Sequence, residues 1–116
     1  MKNKHTGDKG ETIAANFLQK KGFNLLERNW RYKHLEIDII ASLNLKLHFV
    51  EVKTRTNSKF GLPEESVSQT KMNRLKIAAE AYLLQYPEWE KIQFDVIAIM
   101  IEKDKETIFL IDDVFF

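Results

Sequence analysis

The sequence predicts an α/β (α+β) fold, a central mixed β-sheet of about five strands flanked by helices. Two observations carry that prediction. Apolar periodicity changes along the chain in the order helix, three strands, helix, two strands, a pattern that packs a sheet against helices. The two helical stretches are amphipathic, so each has one face to bury against that sheet.

The first helix runs from about Asp8 to Lys21, with Ile13, Ala14, Phe17 and Leu18 forming its apolar stripe and Gly22 a natural stop. Phe23 to Tyr32 reads as a short strand ending in a polar turn. Glu36–Ala41 and Lys46–Lys53 are rich in β-branched and aromatic residues, as strands are. A basic loop, Thr54 to Leu62, contains Arg55, Lys59 and Gly61. A second helix spans about Ser68 to Tyr86, with Leu75, Ala78, Tyr82 and Leu83 inward and Pro87 just past its end. Gln93–Ile101 and Thr107–Ile111 form the last strand pair, joined by the charged turn Glu102–Lys105.

With 116 residues and 13.7 kDa, the chain fits one domain over residues 1–116. Apolar residues make up 44% and charged residues 30%, which excludes disordered and fibrous classes. The absence of cysteine excludes a disulfide scaffold, thiolate metal sites and cysteine nucleophiles, and fits a reducing cytoplasm. No window approaches the roughly 18 consecutive apolar residues of a membrane span, so no membrane role is expected. The basic start, Met1 to Thr6, leads into no apolar segment of the kind a secretory signal needs. Net charge is only +1, but residues 1–60 hold 12 basic and 6 acidic side chains, against 6 and 11 in residues 61–116. A basic half suits a phosphate-facing surface, and equally suits a solvated face with a chance asymmetry.

The chemistry lies where charge works against folding. The short Leu43–Leu45 neighbourhood makes the two central strands an antiparallel hairpin. A turn centred between Asn44 and Leu45 sets Asp38 opposite Glu51, Ile40 opposite Phe49 and Ser42 opposite Leu47. Like charges directly opposite are destabilising, and alternation sends Lys53 to the face of Glu51. Facing carboxylates need a cation or a shared proton. Either Lys53 bridges them as a solvated ion network, or a hard divalent ion sits there with substrate phosphate. Glu11 shares its helix face with Ala14, Ala15 and Leu18 and so points at the sheet; an acidic residue offsetting the dipole of a first helical turn is the alternative account of it.

These residues resemble a known pattern. Glu51-Val52-Lys53 within Phe49–Arg55, preceded by Glu36–Ala41, resembles the PD-(D/E)xK signature of restriction-endonuclease-like nucleases. The match is closer to the YraN-like family of small bacterial proteins, whose domain is similar to archaeal Holliday-junction resolvases. It extends from Gly7–Glu11 through Glu27–Trp30, Phe60-Gly61, Lys71 and Arg74-Leu75 to Phe94–Val96. Leu35 stands where the family usually has glycine, which bears on the turn entering the Asp38 strand, and Gln93 where it usually has arginine.

The resemblance implies a restriction-endonuclease-like fold and Mg²⁺-dependent (or Mn²⁺-dependent) hydrolysis of DNA phosphodiester bonds, on branched or damaged DNA. It implies that Asp38, Glu51 and the Val52 carbonyl ligate the ion, that Lys53 orients or deprotonates the attacking water, and that Glu11 holds a second ion or its water. A divalent ion lowers the pKa of its water and stabilises charge on the phosphoryl oxygens. Flanking carboxylates favour the charged form of Lys53 and burial disfavours it.

Arg55, Lys59, Lys71 and Arg74 are the expected phosphate contacts, with a solvated loop for the first two and a snorkelling Lys71 as the plainer accounts. Trp30, Phe49, Tyr82 and Phe94 fit core positions. His5, His34 and His48 lack ligand spacing, and His48 falls on the strand face opposite Glu51. Asp95, in an apolar strand, suits a structural role, and the apolar end Val114–Phe116 completes the core or meets a partner. A junction-cutting enzyme would need two active sites, hence a homodimer. The rivals are a non-catalytic nucleic-acid-binding module with a nuclease-like fold, and an interface protein whose acidic C-terminal half docks a basic partner.

Overall fold

Two layers of different helix cover the two faces of one sheet. The computed structural model describes residues 4–56 and 69–114, with side chains from residue 9. The elements are α1 (Lys4–Lys20), β1 (Asn24–Tyr32), β2 (Leu35–Leu43), β3 (Lys46–Arg55), α2 (Gln69–Gln85), β4 (Ile92–Glu102) and β5 (Lys105–Ile111). The strands lie in sequence order. Neighbours are antiparallel except β3 and β4, which are parallel and therefore need the long crossover that contains α2. The mixed α/β architecture is the one expected. Lys59, Phe60-Gly61 and Phe115-Phe116 lie outside the described residues.

Helix α1 begins earlier than its apolar stripe announces, at Lys4. It ends as Gly22, at φ +97°, turns the chain: the Gly22 and Phe23 amides donate to the Gln19 and Leu18 carbonyls, both at 3.0 Å. Ala14, Ala15 and Leu18 pack on Ile39, Ala41, Val50, Val52, Ile97 and Ile99. At its other end α1 presses on β3, because a Cβ on Gly10 would collide with the Thr54 hydroxyl. Helix α2 buries Met72, Leu75, Ala78, Ala79 and Tyr82 against Ile37, Ile40, Leu47, Phe49, Phe94 and Val96 on the opposite face. Tyr82 anchors that layer, meeting Trp30, Phe49 and Tyr86 with ring centroids 5.1, 5.9 and 4.5 Å away. Phe49, Tyr82 and Phe94 are core residues as expected, and Trp30 packs at the margin.

The β2–β3 hairpin has the expected register, with Ile40 opposite Phe49 and Ser42 opposite Leu47. Asn44 and Leu45 form its tip at φ +51° and +67°, the conformation of a tight two-residue hairpin turn. The paired rungs end at Ile39 and Val50. There the alternation of β2 slips: Ile37 joins the α2-side core while Ile39 and Ala41 join the α1-side core. Neighbouring β1 is irregular at the same level, since Asn29, between the Arg28–Ile39 and Trp30–Ile37 pairs, has φ +53°. Asp38 sits at this slip.

Candidate functional site

The slip in β2 frees Asp38 from ladder duty and gives its carboxylate a different task. The Val52 amide donates to Asp38 Oδ2 at 2.8 Å, replacing the next rung of the hairpin with a side-chain contact. Asp38 is 93% buried by this arrangement (7% exposed) yet borders a cleft, and it has further interactions besides. Glu51, one position before Val52 and on the other strand face, lines the same cleft. The cleft measures about 240 Å³, and its wall is His34, Leu35, Glu36, Asp38, Glu51, Lys71, Arg74 and Leu75. Three carboxylates, Glu36 and Asp38 from β2 and Glu51 from β3, thus meet two cations from the first turns of α2.

The cations are disposed unequally. Lys71 Nζ stands 3.6 Å from Glu51 Oε2, an ion pair whose lysine is 42% and glutamate 17% exposed. The Lys53 amine lies against that of Lys71. Burial, then the hydrogen bond and positive charge of Lys71, pull the Lys53 pKa down from 10.5 to about 8, opposed by Glu51 and assisted by Arg55. A lysine in such a setting is in part neutral near pH 8 and can accept a proton. Arg55 ends β3 with its Nε buried and without a hydrogen-bond partner.

Other expected residues fall elsewhere. Glu11 is buried, 8% exposed, on α1, outside the cleft wall, and it has a partner of its own. It stands two turns into the helix and not in its first turn, so offsetting the dipole at the helix start does not explain it. The Val52 side chain belongs to the α1-side core, and its amide serves Asp38. Lys59 lies outside the described residues. Among the described residues no group of three or more His, Asp or Glu side chains surrounds a single point suited to a metal. The Asp38–Glu51 pair still fits Mg²⁺ in its donor chemistry, since that ion commonly takes one or two carboxylates and completes its shell with water and phosphate.

Sequence reasoning placed a turn after Tyr32 but did not foresee that His34, Leu35 and Glu36 line the cleft. His34 follows Lys33, whose φ is +58°, and Glu36 is tied to Arg31 at 3.4 Å. Leu35 pairs with Tyr32, packs on the α2-side core and has no positive φ, so this turn makes no demand for glycine there.

Comparison with known proteins places the chain. A family model described as "Uncharacterised protein family UPF0102" matches residues 10–99. The chain belongs to the UPF0102 family, the YraN-like proteins. A UPF0102 protein of Dictyoglomus thermophilum is 45% identical over 104 residues, covering 89% of this chain and 88% of the relative. One from Syntrophomonas wolfei is 42% identical, with 91% and 93% covered. Another, from Clostridioides difficile, is 46% identical, with 89% and 92% covered. The matched UPF0102 segment spans α1 from Gly10 through most of β4, and so contains every described wall residue of the cleft.

Proposed function

We propose that this chain is a Mg²⁺-dependent nuclease of restriction-endonuclease-like fold that hydrolyses DNA phosphodiester bonds, on branched or damaged DNA. The observation that carries the reading is the cleft in which Asp38 and Glu51, from neighbouring strands, face Lys71 and Arg74, with the Lys53 amine adjoining. An ion bound by the two carboxylates would supply Lewis acidity at the scissile phosphate. The chain's own groups do the rest. Lys71 and Arg74 hold the phosphate backbone at the cleft mouth. Lys53, with its lowered pKa, takes a proton from the attacking water or donates a hydrogen bond to the phosphate. The Val52 amide fixes the orientation of the Asp38 carboxylate through its 2.8 Å hydrogen bond. The family resemblance implies that Glu11 holds a second ion or its water, although it stands on α1 outside the cleft wall.

The Lys71–Glu51 ion pair favours a second reading. A cation already 3.6 Å from Glu51 suits a module that keeps the fold and binds nucleic acid without cutting. The two separate in one experiment. Labelled linear duplex, single strand, flap and four-way junction are incubated with Mg²⁺, with Mn²⁺ and with chelator, comparing the natural chain with Lys53→Ala. Metal-dependent cutting that the variant loses supports the nuclease. Binding without cutting supports the module, and cutting that Lys53→Ala leaves intact removes the cleft from the account.

A further inference from the structure

Lys71 holds a position that two ligands would contest. Its Nζ stands 3.6 Å from Glu51 Oε2, farther than the roughly 2.7–2.9 Å of a tight charge-assisted hydrogen bond. The lysine is half-exposed and reaches over from α2 on a flexible stem, whereas Glu51 belongs to β3 and is mostly buried. The Lys53 amine lies against that of Lys71, so two amines crowd one glutamate. Around this pair the charges of the cleft are already matched. Glu36 is tied to Arg31 at 3.4 Å. That leaves Asp38 and Glu51 facing Lys71 and Arg74, two carboxylates against two cations. A divalent ion entering alone adds two positive charges beside ammonium groups that have nowhere better to go. Phosphodiester groups change this, because each brings a negative charge that Lys71 can follow.

We propose that Lys71 is an exchangeable counter-ion of Glu51, held there until a nucleic-acid phosphate draws it away and leaves the carboxylate to the divalent ion. Ion and nucleic acid then bind cooperatively, since each favours the state in which Lys71 has let go of Glu51. The ion site is completed on the substrate and not before it. This inference rests on the metal site of the nuclease reading. It parts from the binding-module reading at one point, because in that module Lys71 stays on Glu51 throughout.

The test is calorimetric titration of the full chain with Mn²⁺ at fixed ionic strength, with circular dichroism to confirm folding. Lys71→Met is expected to bind Mn²⁺ about tenfold more tightly than the natural chain, a coupling of ordinary size. Lys71→Arg keeps the cation and is expected to bind no more tightly than the natural chain. Lys20→Met removes the same charge from α1, on the other face of the sheet, and is expected to change nothing. The reciprocal arm is fluorescence anisotropy of a labelled duplex on Lys53→Ala, the variant that the nuclease reading leaves without cutting. Mn²⁺ is expected to tighten that complex about tenfold, and adding Lys71→Met to remove most of the gain. Equal Mn²⁺ affinity in the natural chain and Lys71→Met overturns the inference and leaves the nuclease reading standing. So does an equal gain in Lys20→Met, or a Mn²⁺ effect on duplex binding that is absent or survives Lys71→Met. Mn²⁺ bound by none of these chains overturns both.

Discussion

Each face of the sheet carries a cluster of acid and base, and the two are finished to different degrees. On the α1 side, His48 Nδ1 and Asp95 Oδ2 are 2.7 Å apart, both buried, with the His48 ring edge-on to Phe23. The other Asp95 oxygen accepts from Gln93 at 2.8 Å and from the Asp113 amide at 3.0 Å. Asp95 thereby ties β3, β4 and the segment after β5 together, the structural part its apolar setting suggested. On the α2 side, Asp38 and Glu51 line an open cleft, and Glu51 has a long ion pair with a half-exposed lysine. Identical residue types thus serve opposite ends. Where a carboxylate's lone pairs are filled by fixed donors it holds the fold; where it borders an open cleft beside partly exposed cations it is available to a ligand.

Variants should break this contrast in order of size. Lys53→Ala is expected to lower metal-dependent cleavage by about 10²–10⁴-fold, the usual worth of a positioned acid–base group, while circular dichroism shows the fold retained. Asp95→Ala is expected to do the reverse. It strands His48, Gln93 and the Asp113 amide, costing roughly 2–3 kcal/mol in urea unfolding, while cleavage per folded molecule stays as it was. Lys71→Met should change stability by no more than about 0.5 kcal/mol, because exposed pairs contribute little. It should also reduce the salt slope of DNA binding by roughly one phosphate contact.

The two clusters also separate by pH. Burial alone would raise the Asp95 carboxyl, but hydrogen bonds from His48, Asp113 and Gln93 outweigh it and hold the pKa below 3.8. The unfolded chain then binds this proton more tightly than the folded one, so the contribution of Asp95 is complete above the ordinary value and is lost as acid passes through the depressed one. Acid unfolding of Asp95→Asn should lack that component. Lys53 shifts in the same direction with the opposite charge. Its folded pKa of about 8 means that stability rises between there and 10.5. If the neutral amine acts as base, cleavage rises through about pH 8, and pH–rate profiles measure this.

Much of this arrangement is legible in the residues, and the rest has physical reasons for being hidden. The hairpin register follows from the short turn between two β-branched runs, and Glu11 lies on the buried helix face because alanines and leucine follow it at helical spacing. The slip at Asp38 is not legible, since no local pattern in β2 announces it and it coincides with a positive φ at Asn29 one strand away. At the slip the expected Asp38–Glu51 rung is replaced by the Asp38–Val52 contact. The first turn of α1 is invisible to apolar periodicity, because Lys4–Gly10 contains no apolar residue. His34 and Glu36 join the cleft only because the β1–β2 turn folds beside α2, a tertiary event that local pattern does not encode.

Calorimetric titration with Mn²⁺ tests the contrast most directly, comparing the natural chain with Glu51→Gln and Asp95→Asn. The account predicts binding in the natural chain, retained in folded Asp95→Asn and lost in Glu51→Gln. Equal binding in all three, or loss in Asp95→Asn alone, would contradict it.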